Sequence, residues 1–150
     1  MEFKEALQRT AALCSNQERN TQYIARKLSE WEISSVDAEK IIRKLKEDKF
    51  LDDRRYASSF VKDKFRFNRW GRIKIGYALR QKGIPEEAIG EALAQIDEED
   101  YFQTCRELIR QKSASLKETN PYTRKAKLVR FASQRGFESE LVYRILQTEE

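Results

Sequence analysis

Histidine is absent from this 150-residue sequence and cysteine is nearly so, with Cys14 and Cys105 alone. The first absence excludes Ser–His–Asp and Cys–His catalysis and every metal site that needs imidazole. Two isolated cysteines cannot build a structural zinc site, and with no export signal they read as reduced core thiols rather than a disulfide. Proline occurs twice and glycine five times, too seldom for a sandwich or barrel with a turn every few residues. No apolar run approaches the roughly 20 residues of a membrane span. The opening MEFKEALQRT is too polar for a signal peptide, so the expected location is the cytoplasm, away from any membrane. Neither GxxxxGK[ST] nor GxGxxG occurs, which removes the two common phosphate cradles. A chain without catalysis, metal or cofactor is expected.

What remains is a composition for helices: 39% hydrophobic and 37% charged residues, with a net charge of +5. The charge is concentrated. Between Arg54 and Lys82 stand ten basic residues (Arg54, Arg55, Lys62, Lys64, Arg66, Arg69, Arg72, Lys74, Arg80, Lys82) against one acid, Asp63. A local excess of this size attracts polyanions; a merely solvated helix face is the other reading.

The apolar residues repeat. Ile24, Leu28, Ile33, Ala38, Ile42 and Leu45 map onto Ile75, Leu79, Ile84, Ile89, Leu93 and Ile96 at an offset of 51 residues. A further offset of 53 carries Ile75, Leu79, Gly83, Ile84, Ile89 and Leu93 onto Leu128, Ala132, Gly136, Phe137, Val142 and Leu146. Such a period marks a helical repeat whose units are too small to bury a full core alone and therefore stack. The expected fold is all-α: three tandem three-helix repeats, 1–50, 51–96 and 97–150, forming a curved, elongated rod. The spacing predicts helices over 2–13, 20–32, 35–48, 53–67, 71–82, 85–95, 98–115, 121–135 and 138–148.

The densest signals lie between Leu51 and Ile84. Asp52 is a good N-cap, with Leu51 and Tyr56 at the positions of a hydrophobic staple and Asp53 at the positive end of the helix dipole. Gly71 opens the next helix and Gly83 closes it. LDDRRYA at 51–57, followed by WGRIKIGYALRQKGI at 70–84, resembles the signature of the RecX family of bacterial recombinase regulators. The resemblance covers most of the chain and is best in the central repeat. It departs in the first repeat, where Trp31–Glu32 stands in place of Lys82–Gly83, which puts the turn there in doubt.

The resemblance implies a non-enzymatic regulator of homologous recombination, DNA repair and the SOS response. Such a protein lodges in the helical groove of the RecA–single-stranded DNA filament and restrains its extension, ATP hydrolysis and strand exchange. It also implies weak binding to single- and double-stranded DNA, and the chain is expected to be a monomer. From the residues themselves, the candidates for partner or DNA contact are Arg66, Arg69, Arg72, Lys74 and Arg80, then Arg124, Lys125, Lys127 and Arg130. These should form one stripe across equivalent helices, with Arg72, Arg80 and Lys74 on the wet side.

The signature residues Leu51, Asp52, Asp53, Tyr56, Gly71 and Gly83 read chiefly as architecture, with Asp53 the best exception because its neighbour already caps the helix. Trp70, Phe65 and Phe67 flank the basic residues and could stack on bases, although such aromatics more often pack between helices. The acids Glu98, Glu99 and Asp100 occupy a first helical turn, where the dipole accounts for them. Two other readings stand beside the first: a stand-alone DNA-binding module built of helix-turn-helix units, and a helical adaptor without nucleic acid.

Overall fold

Side chains that can accept from free N–H groups stand at most of the helix starts, and they fix where the helices begin. The computed structural model describes residues 1–148; the last two residues of the expected third repeat, 149 and 150, lie outside them. Among the described residues the chain is all-α, with nine helices and no strand. They are α1 (Phe3–Asn16), α2 (Thr21–Glu30), α3 (Ser35–Glu47), α4 (Asp53–Arg66), α5 (Arg72–Gln81), α6 (Glu86–Leu93), α7 (Glu98–Ser115), α8 (Pro121–Gln134) and α9 (Ser139–Thr148). Asn20 accepts from the Tyr23 N–H at 2.7 Å, Ser34 from Asp37 at 3.2 Å, and Asp52 from Arg54 at 3.0 Å and Arg55 at 3.1 Å. Asp97 accepts from Asp100 at 3.0 Å, and Asn120 from Tyr122 at 3.0 Å and Thr123 at 3.2 Å. Each cap satisfies donors that the helix itself leaves free. Helix α1 runs three residues past its expected end, because Cys14 continues the buried row of Ala6 and Thr10 at four-residue spacing.

One turn ends the second helix of each repeat. Ile33 donates to the Leu28 carbonyl, Ile84 to Leu79 and Phe137 to Ala132, with the preceding residue donating to Ser29, Arg80 and Ser133. This is the Schellman arrangement, which requires a left-handed residue. Gly83 has φ 77° and Gly136 has φ 96°. The doubt over the first repeat resolves in favour of the turn: Glu32 adopts φ 60° without being glycine.

The chain divides into two compact units. The first comprises Met1–Phe60 and Leu79–Ala92. In it α1 and α2 both pack on α3, around a core of Ala6, Cys14, Ile24, Leu28, Ile41, Leu45 and Leu51. The second comprises Val61–Ala78 and Leu93–Glu150. There α7, α8 and α9 pack against one another, and Tyr101, Cys105, Ile109, Phe137, Val142 and Ile145 are almost wholly buried. Burying an aliphatic side chain of this size stabilises the fold by about 1.5–3 kcal/mol. Helices α4 and α5 each contribute residues to both units.

In the second unit the start of α5 lies against the turn between α8 and α9. Gly71 donates to the Arg135 carbonyl at 2.7 Å and Ile73 to the Gly136 carbonyl at 3.0 Å. The backbones approach so closely that a Cβ on Gly71 would sit 2.3 Å from the Gly136 oxygen. Glycine is required here by proximity.

Candidate nucleic-acid interface

The basic residues divide according to what already holds them. In the second unit Arg72 is a structural tie. Its guanidinium reaches Glu98 at 2.6 Å and Glu138 at 3.5 Å and lies 4.0 Å from the centroid of the Tyr101 ring. Its N–H donates to the Tyr101 hydroxyl at 2.9 Å, and that hydroxyl donates to Glu138. Burial, followed by the bond to Glu138, pushes the Tyr101 phenol well above its ordinary pKa. With its side chain 23% exposed, Arg72 is not on the wet side where the helical spacing put it. Two carboxylates and a ring hold it in.

Arg124 is likewise engaged. Its guanidinium bonds the Ser113 carbonyl, the Ser113 hydroxyl at 2.7 Å, and the carbonyls of Leu116 at 3.3 Å and Glu118 at 3.2 Å. These carbonyls lie at and just beyond the end of α7, where a cation meets the negative pole of the helix. Lys127 pairs with Glu118 at 3.5 Å. The Glu118 carboxylate also accepts from the Asn120 N–H, and that bond together with Lys127 holds it below the usual carboxylate range. In the first unit Arg80 forms a two-point pair with Glu86, one contact at 3.1 Å. Both groups stay in solvent, so the pair adds little to stability.

The other five candidate cations, Arg66, Arg69, Lys74, Lys125 and Arg130, have no carboxylate partner among the described residues. Arg66 and Arg69 line a groove of about 560 Å³ in the second unit, with Lys62 and Phe65 on the same wall. Asp97, Asp100 and Glu107 stand opposite, so the groove is bipolar. Lys74 lies 4.6 Å from the Trp70 ring centroid, and Lys64 lies 4.9 Å from it. Lys125 and Arg130 are exposed on α8. Structure thus keeps Arg66, Arg69, Lys74, Lys125 and Arg130 available and engages Arg72, Arg80, Arg124 and Lys127.

The aromatic candidates also separate. Phe65 stacks on Tyr101 with centroids 5.9 Å apart, Trp70 is half-buried under its two lysines, and Phe67 is 75% exposed. Among the described residues five exposed aromatics were not expected site residues, Phe3, Phe50, Tyr77, Tyr122 and Tyr143, and of these Tyr122 on α8 and Tyr143 on α9 line one depression. Their signal was present as Tyr122, Lys125, Val129 and Arg130 at helical spacing, hidden by the stronger apolar row of Leu128 and Ala132.

The signature residues serve the fold. Leu51 belongs to the first core, and Asp52 caps α4. Asp53, expected as the best partner contact of the six, is occupied: its two oxygens accept from the Thr21 N–H and hydroxyl, each at 2.9 Å. It therefore caps α2 across 32 residues of sequence. Tyr56 stacks on Phe60, and Gly83 takes the left-handed turn.

Known proteins agree with this architecture. Family models described as the second and third three-helix domains of RecX match residues 52–93 and 98–146. A "Regulatory protein RecX" from Chlorobium phaeobacteroides is 32% identical over 93% of this chain and 89% of its own length. One of the same name from Clostridium botulinum (strain Eklund 17B / Type B) is 40% identical over 69% of this chain and 49% of its own. The chain spans about half the length of several curated relatives it matches. Among solved structures, a crystal structure of regulatory protein RecX superposes with a TM-score of 0.89 at 28% identity, covering 97% of this chain and 71% of that one. RecX from Lactobacillus salivarius shares the fold at a TM-score of 0.90 and 20% identity, covering 97% of this chain and 95% of that one.

Proposed function

The chain belongs to the RecX family, and from that premise we propose that it is a non-enzymatic regulator. It binds the RecA–single-stranded DNA filament in its helical groove and limits filament extension, ATP hydrolysis and strand exchange. The observation that carries this reading is the near full-length match to a regulatory protein RecX, 93% of this chain against 89% of the relative. Arg66 and Arg69 in the second unit, and Lys125 and Arg130 on α8, meet no carboxylate among the described residues and support it, because a DNA-containing filament offers them phosphates and acidic side chains. Several weak contacts to one polymer add through effective concentration.

The test is steady-state ATP hydrolysis by RecA on single-stranded DNA as the purified chain is added. A falling rate is expected; an unchanged rate at stoichiometric excess rejects the proposal. Replacing Arg66, Arg69, Lys125 and Arg130 with Gln should weaken the inhibition while the helical circular dichroism persists. Arg72 and Arg124 do not belong in that variant, because their loss would disturb the fold. Tight, sequence-dependent binding to duplex DNA without any recombinase would favour the stand-alone DNA-binding module instead.

A further inference from the structure

The outer face of α8 presents Tyr122, Lys125, Ala126, Val129 and Arg130 as one continuous row, and α9 adds Tyr143 beside it. Together these six residues line a shallow depression of about 370 Å³ in the second unit. Tyr122 is 86% exposed and Tyr143 46% exposed, although both rings are large enough to favour burial. Lys125 reaches over the Tyr143 ring at 5.7 Å. Helix α8 contains no acid, and Glu140, one turn before Tyr143, does not line the depression.

The neighbouring cations show that this exposure is selective. Arg124 and Lys127, on other sides of the same helix, are engaged by α7 and by Glu118, whereas Lys125 and Arg130 meet no carboxylate among the described residues. Two solvent-facing phenol rings flanked by two available cations have the chemistry of a stacking platform with a phosphate track. From Tyr122 to Arg130 the row is about 12 Å long at the rise of an α-helix, enough for a few nucleotides. A duplex keeps its base faces stacked inside and cannot use the rings. An acidic protein surface could meet the cations but leaves the exposed Tyr122 ring unexplained.

We infer that the α8–α9 face binds single-stranded nucleic acid, with Tyr122 and Tyr143 stacking on bases while Lys125 and Arg130 hold the backbone. The inference deepens the filament reading, since a filament on single-stranded DNA supplies the ligand. Its test omits the recombinase, so either can fail without the other.

The full chain is titrated into a labelled oligothymidylate, and separately into a duplex of equal length, with fluorescence anisotropy as the readout. The single strand should bind more tightly than the duplex. Tyr122→Ala should weaken single-strand binding about five- to hundred-fold and leave duplex binding nearly unchanged, while Tyr122→Phe should retain it. Arg130→Gln should reduce the slope of log affinity against log salt by about 0.7. Position 122 is so exposed that its loss cannot unfold the helix; for Tyr143→Ala, circular dichroism serves as the check. Failure of the wild-type chain to bind the oligothymidylate would overturn the inference, as would wild-type affinity in Tyr122→Ala or equal losses on both DNAs. Unchanged DNA affinity in Tyr122→Ala, combined with lost inhibition of RecA, would identify the face as a protein contact and overturn it equally.

Discussion

Arg72, Tyr101 and Glu138 form a closed set in which each polar group has a partner, and such sets punish the removal of any member. Tyr101→Phe keeps the ring against Phe65 and Phe137 but strips the hydroxyl from the Arg72 N–H and from Glu138. The expected cost is about 1–3 kcal/mol, read as a lower urea midpoint at unchanged slope. Glu32 works in the opposite sense. A left-handed non-glycine residue costs about 1–2 kcal/mol, partly offset by the greater freedom glycine has when unfolded. Glu32→Gly should therefore raise stability by about 0.5–1 kcal/mol, measurable in the same titration. At this scale the sequence was readable wherever the partner is close in the chain. Asp52 could be named a cap because its donors lie two and three residues away; Asp53 could not be assigned, because Thr21 is remote in sequence.

Helices meet their neighbours through their ends as well as their faces. The free N–H groups opening α5 are satisfied by carbonyls closing α8 and by the Tyr101 hydroxyl, with no side chain from the residue before α5. Gly71→Ala would push a methyl into the Gly136 carbonyl and should cost about 1–3 kcal/mol or more. Gly90 in α6 is the natural control. A Cβ there would meet nothing within 4 Å, so Gly90→Ala should stabilise the chain by about 0.5–1 kcal/mol through helix propensity alone. Opposite signs for two identical substitutions, measured by thermal unfolding, would separate close approach from conformational freedom. The helices themselves were legible because caps and apolar spacing are local signals. The docking of α5 was not, since nothing in WGRIKIG indicates that a second glycine, 65 residues on, will be its neighbour.

For the molecule as a whole, charge was easy to see and hard to interpret. The basic cluster was plain in the sequence, but the division into engaged and available cations depends on carboxylates and carbonyls brought in from other helices. Its response to alkali follows from burial. Desolvation pushes the Cys105 thiol up to about 12 from an ordinary value of 9.0, and the Tyr101 phenol moves in the same direction. The folded state therefore keeps protons that the unfolded chain gives up. The stabilisation is complete below pH 9.0 and declines as the pH rises toward the folded value. Denaturation midpoints should fall across that window, and less steeply in Cys105→Ala. Both native thiols are buried, and burial also raises the pKa of Cys14, so neither should react with a maleimide at neutral pH. A dye could then be attached through Gly90→Cys on an otherwise unaltered chain, and single-molecule fluorescence could test, without a cysteine-free background, whether the protein arrives on a nucleoprotein filament.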